Sequence, residues 1–72
     1  MRGNFYYKRL GGNIRKYRKK RDLSQEQLAL LSGTDRSYLN EVELGKANPT
    51  IKFLHRVTKI LKIKLNNLIK SL

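Results

Sequence analysis

Residues 23–46 read LSQEQLALLSGTDRSYLNEVELGK, and this stretch predicts two short helices set around one tight corner. Ser24 can accept a hydrogen bond from a free amide of a helical first turn, and Gln27, three positions on, can reach back to the Ser24 amide. That reciprocal pair is a capping box, so the first helix starts at Ser24. Its buried side is expected to carry Leu28 and Ala29, with Leu31 or Ser32 closing the stripe one turn later. Gly33 can take a positive φ cheaply at the corner. Asp35, backed by Thr34, then caps a second helix whose apolar positions are Leu39 and Val42. Two short helices joined by a three- or four-residue turn containing Gly form a helix-turn-helix, whose second helix is shaped to lie in a DNA major groove.

The pattern S-Q-x-x-L-A-x-x-S-G at residues 24–33, D-R-S-Y-L-x-x-V-E-x-G-K at 35–46 and N-P-T at 48–50 resembles the Cro/CI phage-repressor, XRE-type, helix-turn-helix family, and the similarity runs through residues 10–69. The short length and the run Asp35-Arg36-Ser37-Tyr38 are also similar to the controller proteins of restriction-modification systems. The resemblance implies an all-α, five-helix, lambda-repressor-like domain over residues 10–72, preceded at 1–9 by an N-terminal arm or helix extension. It further implies a cytoplasmic transcriptional regulator, a repressor in its namesakes, that binds double-stranded DNA as a homodimer on a two-fold site.

Composition sets bounds around that reading. Seventy-two residues allow one domain with a small core, near the size at which well-formed helices or a partner are needed. With no cysteine and one histidine, neither a disulfide nor a thiolate metal site is expected, and no cofactor or small-molecule ligand is called for. No apolar run approaches the roughly 20 residues of a membrane span, and the N-terminal stretch lacks a signal-like apolar segment, so no membrane partner is expected. The net charge is +12, a field that usually meets a polyanion. Residues 1–23 hold nine Lys or Arg against one acid, residues 24–49 two against four, and residues 50–72 six against none. A slightly acidic reading unit thus lies between two basic flanks, which fits phosphate contacts that position and a central helix that reads.

Taken in order, the chain offers a helix 1 from about Asn13, because Gly11 and Gly12 weaken any helix continuing from Tyr7. Ile14, Tyr17 and Arg18 share its inward face. Arg18 is a lone cation on that stripe, and Glu43 is the one acid at an inward position of helix 3. Two inward charges of opposite sign are costly unless they meet, so a structural pair is expected; in the family the matching positions tie helix 1 to helix 3. Pro49 stiffens the loop after helix 3, and Thr50 caps helix 4, with a stripe of Ile51, Leu54, Val57, Thr58, Ile60 and Leu61. His55 falls off this stripe and reads as solvated. A fifth helix of about two turns carries Leu65, Leu68, Ile69 and Leu72, more apolar surface than one side of a short helix can bury. These four are the expected dimer interface.

For base readout, the outward residues at the start of helix 3 are Arg36, Ser37, Asn40 and Glu41, with Tyr38 at the margin. Arg36 can fork onto guanine O6 and N7, Ser37 can bond either way, and Glu41 can accept from cytosine N4. Gln25 in the first turn of helix 2 can donate to a phosphate; by resemblance it is a backbone contact that also braces helix 3, and Lys46 and Asn48 in the next loop are backbone contacts too. Two departures from the family pattern stand out. Helix 1 is unusually cationic toward Lys20 and Arg21, and helix 3 presents a single outward cation, so one subunit alone should bind weakly. No catalytic constellation is present, and the chain does not read as an enzyme. Two rivals remain open: an antitoxin-like subunit that binds a partner protein through its C-terminal apolar face and DNA only in complex, and a non-specific binder of RNA or anionic membrane.

Overall fold

The computed structural model describes residues 3–70, which form five helices: α1 (Gly3–Lys20), α2 (Gln25–Ser32), α3 (Arg36–Leu44), α4 (Ile51–Leu61) and α5 (Leu65–Ile69). No strand occurs among the described residues. Local side-chain chemistry fixes where the middle three begin. Ser24 Oγ accepts from the Gln27 amide at 3.0 Å while Gln27 Oε1 accepts from the Ser24 amide at 2.8 Å. Asp35 Oδ1 accepts from the Tyr38 amide at 2.8 Å, and Thr50 Oγ1 from the Phe53 amide at 3.0 Å. Each cap satisfies an amide that the helix itself leaves without a partner. At the other ends, Gly33 and Gly45 turn the chain at φ 75° and 79° and stop α2 and α3.

The core is one cluster. Ile14 of α1, Leu28 and Ala29 of α2, Leu39 and Val42 of α3, and Phe53, Leu54, Val57 and Leu61 of α4 pack together, with Leu10 and Leu68 at the α1–α5 edge. Ser32, rather than Leu31, closes the α2 stripe, its hydroxyl donating to the Leu28 carbonyl at 2.7 Å; Leu31 is 59 % exposed. Within α4 the register differs from the expected stripe. Ile51 is 62 % exposed and Phe53 is buried in its place. Ile51 directly follows the cap and projects outward, whereas Phe53 meets the Tyr38 ring edge to face at 5.3 Å between centroids.

The larger correction concerns α1, which begins at Gly3 and runs straight through Gly11 and Gly12. Of the arm and the helix extension expected over 1–9, residues 3–9 take the helical form, as the first turns of α1. Packing overrides the low helical propensity of the two glycines. Gly11 is buried where α1 crosses the end of α3, and a Cβ there would lie 2.7 Å from the Glu43 carbonyl oxygen and closer still to that of Val42. The missing side chain lets the two backbones touch. Gly45 makes the reciprocal approach, since a Cβ on it would lie 2.5 Å from Lys8 Cα. Helix α5, five residues long, is shorter than expected and is tied to α1 by Asn13 Nδ2 donating to the Leu68 carbonyl at 2.6 Å. No helix among the described residues is long and apolar enough to cross a membrane.

Candidate nucleic-acid interface

Helix α3 buries Leu39, Val42 and Glu43 and leaves Arg36, Ser37, Asn40 and Glu41 exposed. The four exposed residues occupy the first two turns and form one polar face. Tyr38 lies between the faces, half-buried, with its ring committed to Phe53. Its availability to a base edge is therefore small compared with that of its neighbours.

Beneath this face runs a chain of polar contacts that starts in the interior. Arg18 and Glu43 are 7 % and 6 % exposed, and they meet in a fork: Arg18 Nε lies 2.7 Å from Glu43 Oε2, and Nη2 lies 3.0 Å from Oε1. Arg18 Nη1 donates to the Leu23 carbonyl at 2.8 Å, so the guanidinium also anchors the α1–α2 connection. Planar, two-point pairing of this kind suits a guanidinium and a carboxylate, and the extra donors compensate part of the loss of water. Glu43 Oε1 in addition accepts from Gln25 Nε2 at 3.1 Å, and the same Nε2 donates to Asn40 Oδ1 at 3.1 Å. On its other side, Gln25 Oε1 accepts from Arg36 Nε at a long 3.5 Å. One amide at the start of α2 thus links the buried pair to two exposed residues of α3. These contacts span 11 to 18 positions in the chain; the resemblance implied that Gln25 braces helix 3, and the structure supplies the partners.

The remaining candidates separate clearly. Lys46 and Asn48 are exposed on the loop after α3, on either side of half-buried Ala47. Of the four residues expected at a dimer interface, Leu68 is wholly buried inside the domain and is unavailable to a partner. Leu68 fills the fully buried position of α5, and Leu65, one turn earlier on the same face, packs partly buried against the same core. Leu65 is half-buried, Ile69 is 41 % exposed, and Leu72 lies outside the described residues. The cations at the end of α1 are also partly spoken for. Arg21 Nε donates to the Leu61 carbonyl at 3.0 Å, joining α1 to the end of α4, and Lys16 and Lys20 lie over the Tyr17 ring at 5.5 and 5.4 Å. Sequence reasoning passed over Arg15, which lines one open cleft together with Gln25, Arg36 and Asn40. Among the described residues no group of three or more His, Cys, Asp or Glu is arranged to hold a metal ion.

Capped α2, a glycine corner and an α3 with a buried and an exposed face define a helix-turn-helix protein. The chain belongs to the HTH_3 helix-turn-helix family, whose model matches residues 14–68. It is 42 % identical over 60 residues to the HTH-type transcriptional regulator SlrR of Bacillus subtilis, a match covering 82 % of this chain and 40 % of SlrR. It is 37 % identical over 65 residues to control protein C.MunI of a Mycoplasma species, covering 89 % and 88 % of the two chains. The solved structure of the restriction-modification controller protein C.AhdI from Aeromonas hydrophila superposes with a TM-score of 0.89 at 34 % identity, covering 94 % of this chain and 99 % of that one. The chain spans about half the length of SlrR and of two SinR regulators, between 40 % and 57 %.

Proposed function

We propose that this protein is a sequence-specific regulator of transcription that lays α3 in the major groove of double-stranded DNA and acts as a homodimer on a two-fold site in the cytoplasm. The observation that carries the reading is the single exposed face of Arg36, Ser37, Asn40 and Glu41, two of whose members are held in place by Gln25. Likeness to proteins named as transcriptional regulators and as restriction-modification controllers supports it. In this arrangement Arg36 reads and Lys46 positions. A bidentate Arg on guanine discriminates by about 1 to 3 kcal/mol, so Arg36→Ala should lose preference at one base position per half-site while binding to unrelated DNA barely changes. Lys46→Gln should weaken all sequences alike and flatten the salt dependence by about one unit of slope. Selection from a random duplex library, followed by binding measurements on the two variants, checks both. If Arg36→Ala lowered affinity equally for every sequence, Arg36 would be a phosphate contact and readout would pass to Ser37, Asn40 or Glu41.

The dimer is best tested at Ile69, since a charge at buried Leu68 would unfold the domain rather than report on association. Ile69→Glu should sediment as a monomer with an unchanged thermal melt, and should bind a two-fold site about 100-fold more weakly through lost avidity. A wild-type protein that remains monomeric at high micromolar concentration, on DNA as well as free, would rule the dimer out.

A further inference from the structure

The cations of α1 and of the turn that follows it do not share one role. Lys16 and Lys20 lie over the Tyr17 ring and Arg21 caps the last turn of α4, so these three help hold the chain together. Lys8 and Arg15 are placed differently. Arg15 lines the cleft that also exposes Gln25, Arg36 and Asn40, and Lys8 lines a second cleft beside Lys46 and Gly45. Half-exposed Leu44 belongs to both clefts, so the two lie next to each other along one flank of α3. Arg15 follows Lys8 by seven positions, which puts them on nearly the same side of α1 and about 10 Å apart along its axis. Between them Gly12 is exposed, with no atom within 4 Å of where its Cβ would be. Among the described residues the salt bridge is Arg18 with Glu43, and neither Lys8 nor Arg15 has an acid beside it.

We infer that Lys8 and Arg15 are contacts to the sugar–phosphate backbone of the duplex, which makes α1 a positioning element alongside the recognition helix. The inference rests on the proposed DNA-binding reading. Two unpaired cations facing the clefts that flank the exposed face of α3 are where phosphates arrive when that face meets base edges, and Arg15 adds a planar charge that is never titrated away, beside the start of α2, whose dipole also favours an anion. These two cations along the body of α1 thereby compensate for the single outward cation on α3.

Binding of the full chain to its selected duplex would be measured across a salt series for wild type, Lys8→Gln, Arg15→Gln, the double variant and Lys20→Gln. Lys20 is the control because it carries the same charge on another side of the helix. Each single variant at Lys8 or Arg15 should reduce the slope of log affinity against log salt by about 0.9, the double variant by about 1.8, and Lys20→Gln by far less. Thermal melts matching wild type would show that the folds are comparable. If either Lys8→Gln or Arg15→Gln changes the slope no more than Lys20→Gln does, the inference is overturned and α1 contributes only its general field. That result differs from failure of the DNA reading itself, in which wild type would bind no duplex sequence preferentially and Arg36→Ala would change nothing.

Discussion

Glu43→Gln should lower folding stability by about 3 to 5 kcal/mol, because it leaves the Arg18 guanidinium buried with its charge uncompensated. The substitution keeps the shape of the side chain, so the loss reports on charge and not on a cavity. It also disturbs two neighbours at once, the 3.0 Å contact to Arg18 Nη2 and the 3.1 Å contact to Gln25. Domains of this size hold only on the order of 0.05 to 0.15 kcal/mol per residue, so the expected loss is about a quarter of the total or more. Urea unfolding followed by circular dichroism should show the midpoint moving far down with little change in slope. Replacing both partners, Arg18→Met with Glu43→Leu, should recover most of the stability, since a packed apolar pair is often as good as a buried ionic one. The recovered protein would still lack the anchor on the Leu23 carbonyl and the brace on Gln25. A Glu43→Gln melt that overlays wild type would show that the pair contributes nothing to the fold.

Gly11→Ala and Gly12→Ala should move stability in opposite directions, although the residues are adjacent on one helix. At Gly11 the added methyl meets the carbonyls of Val42 and Glu43, and these are backbone atoms that cannot rotate out of the way. Overpacking of this kind costs about 1 to 3 kcal/mol when side chains yield, and the upper end or beyond is expected where only backbone can move. At Gly12 the methyl enters open space, and the gain in helix propensity should stabilise by about 0.8 to 1 kcal/mol. Thermal unfolding of the two variants decides the matter. Equal melts, or a stable Gly11→Ala, would mean that α1 and α3 do not meet as closely as described.

These cases also show which parts of the molecule the sequence disclosed. Starts of α2, α3 and α4 were legible at Ser24, Asp35 and Thr50, because a cap acts on an amide three residues away and requires nothing distant. Gly11 and Gly12 read as breakers for the same local reason. Only the approach of the α3 backbone, some thirty residues away in the chain, makes a glycine the right residue inside that helix. The choice between Ile51 and Phe53 likewise depended on where the Tyr38 ring lies. Leu68 was misassigned by counting apolar residues without knowing that α1 offers α5 a place to bury one. In the candidate site, the outward set on α3 followed from helical register, and the inward charges Arg18 and Glu43 were recognisable as costly unless matched. The brace from Gln25 to helix 3 came from the family resemblance alone, and its partners Glu43, Asn40 and Arg36 came only with the structure, because no periodicity encodes such contacts.

The backbone joint at Gly11 and Gly45 has a consequence for how such a protein can be redesigned. Since the seat of α3 against α1 is made by main-chain atoms, its tilt does not depend on which side chains the outer face carries. Under the proposed readout, Ser37 and Glu41 can then be exchanged individually, as letters in a removable cassette, to address a different DNA sequence. Arg36 and Asn40 are less independent of each other, because both contact the Gln25 amide: an edit at either position releases one of its hydrogen bonds while Nε2 keeps Glu43, so a change at one is felt at position 25 and through it at the other.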